Sequence, residues 1–242
     1  MQRFLYFFIL AGAALLFDGC KTDQAVTQRA EQSDSRPPAA AKATPLTIAP
    51  SAASVAKDDG RPLVVCFGDS LTAGYGTEPG QSYPDYLETA LDKKGYKYRV
   101  VNEGVSGDTT KDGINRLDEV VAMKAAVVVV EFGGNDGLRG LPIQDSRSNL
   151  DTILGKLTST GSKVLIAGIT LPPNYGEAYI KQFDATYPLL AKKYDVPLLP
   201  FLFKNVYGVP GMMQADETHA TAAGNKIVAE NVLTMVTPLL KK

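Results

Sequence analysis

The chain of 242 residues holds one histidine, two cysteines and no tryptophan. Two thiols cannot staple a disulfide scaffold or fill a cysteine-rich zinc site. A single imidazole excludes metal centres built on two or three histidines. Charge of one sign is also missing: 25 Lys and Arg stand against 26 Asp and Glu, for a net charge of −1. A nucleic-acid partner held through phosphate contacts needs a basic excess, so none is expected. Any acid–base chemistry that runs through imidazole must use His219.

Long hydrophobic runs are scarce as well. The apolar run Phe4–Phe17 has 14 residues. That is short of the ~20 a membrane-spanning helix needs and within the ~7–15 of a signal-peptide core. A basic start, Met1-Gln2-Arg3, precedes it, and Leu15-Leu16-Phe17-Asp18-Gly19-Cys20 closes it. A small residue and then cysteine at the end of an apolar run resembles a bacterial lipoprotein cleavage site. Residues 1–19 therefore read as a signal peptide and Cys20 as a lipidated residue, anchoring an exported, periplasmic protein to a membrane. Residues 20–60 read as the lipidated cysteine and a disordered Ala/Pro/Ser-rich tether. Lys21–Gly60 has ten Ala, four Pro and no aromatic, too little apolar surface to offset its ordering entropy. As a coil it would span about 35 Å.

Residues 61–242 carry the folded domain. Leu63–Phe67, Arg99–Asn102, Val127–Phe132, Val164–Ile169 and the weaker Val196–Pro200 are short apolar runs. Unbroken apolar runs, rather than alternating ones, mark strands buried on both faces. Helical stretches separate them. Ser82 caps one that ends before Gly95, and Thr109 or Thr110 opens the next, with Ile114, Leu117, Val120 and Val121 at helical spacing. Further helices are expected over 146–160, 176–194 and 220–240. The alternation implies an α/β fold with a doubly wound parallel sheet of five strands. Cys66 lies inside the first strand and reads as a buried, inert thiol.

In such a sheet, ligands bind beyond the carboxyl ends of the strands. The residues there are Gly68-Asp69-Ser70-Leu71, Gly104-Val105-Ser106-Gly107, Gly133-Gly134-Asn135-Asp136 and, before the last helix, Asp216-Glu217-Thr218-His219. A serine hydroxyl attacks an acyl carbon only if a base takes its proton. His219 is the one imidazole that can do so, and Asp216 can orient it. Ser70 N–H, Gly107 N–H and the Asn135 amide can hold the developing oxyanion.

These four motifs together resemble the SGNH (GDSL) hydrolases, over essentially all of residues 62–240. The resemblance extends to Gly137-Leu138-Arg139-Gly140 and Leu171-Pro172-Pro173-Asn174-Tyr175-Gly176. It is nearest to the bacterial thioesterase I, lysophospholipase and arylesterase branch. It implies a flavodoxin-like three-layer αβα sandwich, no metal or other cofactor, and hydrolysis of esters or thioesters through an acyl-enzyme. It places nucleophile, oxyanion glycine, asparagine and base on Ser70, Gly107, Asn135 and His219. One departure is Ala220-Thr221 where the family often has Pro-Asn. Tyr75, Leu138, Leu141, Pro142 and Leu171 are the expected substrate contacts, for an ester or lysophospholipid. A carbohydrate O-acetyl esterase and a non-catalytic flavodoxin-like binding module are the alternatives. The second has little support, because Gly74-x-Gly76 completes no phosphate-binding pattern.

Overall fold

The computed structural model describes residues 59–242. The segments read as signal peptide, lipidation site and all but the end of the tether lie outside the described residues. Five runs become five parallel strands: β1 Leu63–Gly68, β2 Arg99–Gly104, β3 Val127–Glu131, β4 Lys163–Ala167 and β5 Leu198–Leu199. They lie side by side in the order β2-β1-β3-β4-β5. β1 and β3 are central and almost wholly buried, which is why they are largely apolar without alternation. After β2 the chain crosses back past β1 to begin β3. The loops leaving β1 and β3 therefore diverge, and a crevice opens between them at the carboxyl edge.

The helices are α1 Ser70–Ala73, α2 Tyr83–Lys93, α3 Thr110–Asn115, α4 Leu117–Ala122, α5 Gly134–Leu138, α6 Ile143–Ser159, α7 Glu177–Asp184, α8 Thr186–Tyr194 and α9 Ala222–Val236. α2 packs on α9, and α6 packs on α3, α4 and α8. With the sheet these make the three layers of an αβα sandwich. Ser82 caps α2 and Thr109 caps α3, each reciprocated by an aspartate three residues on, so both starts fall where the side-chain chemistry puts them.

Several boundaries differ from expectation, each for a local reason. The expected helix over 176–194 is two helices, because Pro188 has no N–H for the carbonyl of Asp184 and its ring crowds that position. The helix opened by Thr110 breaks at Arg116, whose guanidinium reaches under the sheet edge to the carbonyls of Glu103 and Gly68. β5 is only two residues long, flanked by Pro197 and Pro200, which cannot donate to a ladder. The last helix starts at Ala222, because Thr221 caps it, and passes into a 3₁₀ turn at Thr237–Leu239 around Pro238. α6 begins three residues early, at Ile143 after Pro142.

Candidate active site

The four sequence motifs meet at the carboxyl edge of the sheet. Ser70 is the first residue of α1, a single turn capped by Asp69, whose Oδ1 accepts from Leu71 N–H at 3.0 Å. His219 lies in the loop before α9, and its Nε2 is 2.9 Å from Ser70 Oγ. Its Nδ1 is 2.7 Å from Asp216 Oδ2. The other Asp216 oxygen accepts from the backbone N–H groups of Thr218 and His219, both at 3.0 Å. Burial pushes the Asp216 carboxyl up, but the hydrogen bonds from the His219 ring and these backbone groups outweigh it and hold Asp216 below the usual carboxylate range. The group facing the imidazole is thus a carboxylate, suited to stabilise an imidazolium.

The groups expected to hold the oxyanion are linked to one another. Asn135, in α5 just beyond β3, donates from Nδ2 to the Asp108 carbonyl at 2.9 Å and to Asp69 Oδ2 at 3.2 Å. One amide thus ties the loop of Gly107 to the residue before Ser70. Arg139 donates to the Gly107 carbonyl at 2.8 Å, holding that loop from the other side. Gly107 has φ +89°, and a Cβ there would find its nearest neighbour 3.9 Å away. Backbone conformation, rather than crowding, requires glycine at this position.

Beside Ser70 lies an apolar cleft of about 210 Å³, walled by Leu71, Leu138, Ile169, Leu171, Phe203 and Tyr207, with Glu217 and Thr218 at its edge. Of the expected substrate contacts, Leu138 and Leu171 line it, and three do not. Tyr75 lies against His219, the two ring centroids 4.6 Å apart. Leu141 stands away from the cleft, with its carbonyl accepting from Tyr179 Oη at 3.2 Å. Pro142 serves as the residue before α6. The loop after α5 turns away beyond Leu138 because Leu141 N–H bonds back to the Asp136 carbonyl.

Sequence reasoning missed the far wall of the cleft, Ile169 after β4 and Phe203 and Tyr207 after β5. Ile169 stands at the end of the expected fourth strand, and Phe203 and Tyr207 lie between β5 and the Asp216/His219 pair, in a stretch with no motif of its own. It also missed Glu131, which is fully buried under the site. A signal existed: Glu131 is the single charge in Val127-Val-Val-Val-Glu-Phe132, where a buried acid demands partners.

The sequence profile of the GDSL-like Lipase/Acylhydrolase family matches residues 66–227. The "Esterase TesA" of Pseudomonas aeruginosa is 44% identical over 174 residues, 72% of this chain and 87% of that protein. The "Thioesterase 1/protease 1/lysophospholipase L1" of Escherichia coli K12 is 39% identical over 178 residues, 73% of this chain and 84% of that protein. A crystal structure of TesA superposes with a TM-score of 0.71 at 42% identity, covering 74% of this chain and 99% of that one. The chain belongs to the GDSL-like lipase/acylhydrolase family and is an ester hydrolase of the SGNH type.

Proposed function

We propose that Ser70 is the nucleophile, His219 the general base and acid, and Asp216 the carboxylate that orients it, with the oxyanion held by Ser70 N–H, Gly107 N–H and Asn135. One observation carries this reading: a single imidazole bridges Ser70 Oγ at 2.9 Å and Asp216 Oδ2 at 2.7 Å. Ser70 Oγ attacks the acyl carbon as His219 Nε2 takes its proton. The proton then passes to the leaving alcohol or thiol as the C–O or C–S bond breaks. Water, deprotonated by the same nitrogen, attacks the acyl-enzyme and frees Ser70.

The substrate we propose is an ester or thioester of a medium-length acyl chain, lysophospholipids included. The apolar cleft supports this over a sugar acetate, which would need polar partners along the wall. Its ~210 Å³ is about seven times the ~30 Å³ share of a water molecule. Each methylene buried there is worth about 0.8 kcal/mol, close to fourfold in kcat/KM. A p-nitrophenyl ester series tests this. We expect kcat/KM to climb from acetyl towards octanoyl and then level off; activity confined to acetate would overturn the lipid reading. Covalent labelling by a fluorophosphonate probe, lost in Ser70→Ala, separates an enzyme from a binding module.

We further propose that residues 61–242 are the catalytic domain of an exported periplasmic lipoprotein, processed before Cys20 and held to a membrane by its lipid. The basic start, the 14-residue apolar run and Gly19-Cys20 support this. Intact mass of the protein from membranes, against Cys20→Ala, tests it: an unmodified cysteine 20 would overturn the anchor.

A further inference from the structure

The proposed mechanism leaves two buried acids unused, Asp69 and Glu131, at 1% and 0% exposure. Gly68 on β1 pairs with Glu131 on β3, so the Glu131 side chain rises directly beneath the Asp69-Ser70 turn. Its Oε2 accepts from Thr72 Oγ1 at 2.9 Å and Asp69 N–H at 3.4 Å. These donors flank Ser70 in the chain. Gly68 makes the arrangement possible: a Cβ there would collide with Thr72 Oγ1 and stand 2.7 Å from Glu131 Oε2. Asp69, in turn, binds Leu71 N–H and the Asn135 amide.

Asp69 and Glu131 are both buried and adjoin through the Asp69 N–H on Glu131 Oε2, and two carboxyl groups packed together out of water keep a proton rather than carry two charges. The remaining oxygen, Glu131 Oε1, is buried without a partner among the described residues. A fully ionised Glu131 would leave charge on that oxygen uncompensated. Burial, and the charge of its neighbour, push the Asp69 carboxyl up; burial pushes Glu131 up to about 7.

We propose that Glu131 is a positioning residue that shares one proton with Asp69 and through it fixes both the Ser70 turn and the Asn135 amide, keeping a second negative charge from beneath the oxyanion site. This inference rests on the catalytic roles proposed above. The surrounding titratable groups leave the pair as the switchable element. Burial raises Tyr83 on α2 and Tyr187 on α8 well above their ordinary range, and it raises Cys66 on β1 to about 12, so all three stay protonated. Arg116 is engaged by Asp108 at 2.7 Å and by the Gly68 carbonyl at 2.8 Å. Loss of the shared proton at alkaline pH would place a second carboxylate charge where the oxyanion must form.

The test is kcat and KM against pH for wild type, Glu131→Ala and Glu131→Gln, with Ser70→Ala as reference. Glu131→Ala is expected to lower kcat about 10- to 100-fold with little change in KM. Glu131→Gln, which can donate to Asp69 at every pH, is expected to recover most of that loss and to flatten the alkaline fall of kcat. A Gln variant as impaired as the Ala variant, or one with the wild-type alkaline limb, would overturn the inference. If Glu131→Ala does not fold, the alkaline limb of the Gln variant still decides. Full activity in Ser70→Ala would instead overturn the catalytic reading itself.

Discussion

Two layers of acid surround Ser70, and their environments set them in opposite states. Asp216, on the rim, has a side chain 42% exposed, takes three hydrogen bonds and titrates low. Asp69 and Glu131, on the floor, are buried, face each other and titrate high. The same functional group thus serves as a permanent anion beside the imidazole and as a proton holder beneath the serine. Donors and solvent, rather than residue type, decide which.

If the layers are separate, rim substitutions change rate far more than stability, whereas floor substitutions change both. His219→Ala is the largest case: a fall in kcat/KM on the order of 10⁴-fold or more, with a urea midpoint that barely moves. Substantial residual activity would leave the site without a base. Asn135→Ala bridges the layers and is expected to cost about 10²–10³ in kcat. A change confined to KM would count against its place in the oxyanion site.

Gly68→Ala probes the floor. Its Cβ meets Thr72 Oγ1, the Glu131 carbonyl and Glu131 Oε2, so a loss of about 1–3 kcal/mol in stability is expected, together with lower activity. Unaltered urea melting would show that the floor yields more than its packing implies.

The pH dependence of stability separates the layers by sign. Glu131 titrates at about 7 when folded against an ordinary 4.5. Over that window the folded chain keeps a proton the unfolded chain has released, so stability falls as pH rises. Relative to Glu131→Gln, wild type is therefore expected to lose ground from about pH 4.5 to about 7; a constant gap in urea melts would break the comparison. Asp216 runs the other way: its contribution is present above its ordinary value of 3.8 and is lost as pH falls below it. The smallest expected effect is Leu141→Ala, which should leave the octanoate-to-acetate preference unchanged, because that side chain is outside the cleft. A clear shift would move the acyl site.

The rim was more legible in the sequence than the floor. Serine, glycine and asparagine announce themselves because each sits in a short polar loop after an apolar run, and the Asp/His pair because it stands just before the last helix, where only caps and chemistry compete to explain them. The sheet was legible for the same reason, down to the weakness of β5 between two prolines. Helix breaks at Arg116 and Ala185 were not, because the first accompanies a long-range reach to carbonyls on two strands and the second follows from one ring against the preceding turn. The cleft was half legible. Leu138 and Leu171 neighbour the motifs, whereas Phe203 and Tyr207 precede the Asp216/His219 pair in a stretch with no pattern of its own. Glu131 was overlooked because a strand-end acid reads as the edge of an apolar run until its neighbour across the ladder is known.

The placement of the lone histidine carries a practical consequence. The single imidazole of the chain touches both Ser70 and Asp216. A ¹⁵N spectrum of histidine-labelled protein therefore contains one pair of ring signals and needs no assignment. Those two lines report which nitrogen carries the proton at rest, and how that changes when an acyl group or an inhibitor is attached to the serine. The enzyme carries its own proton gauge between Ser70 and Asp216.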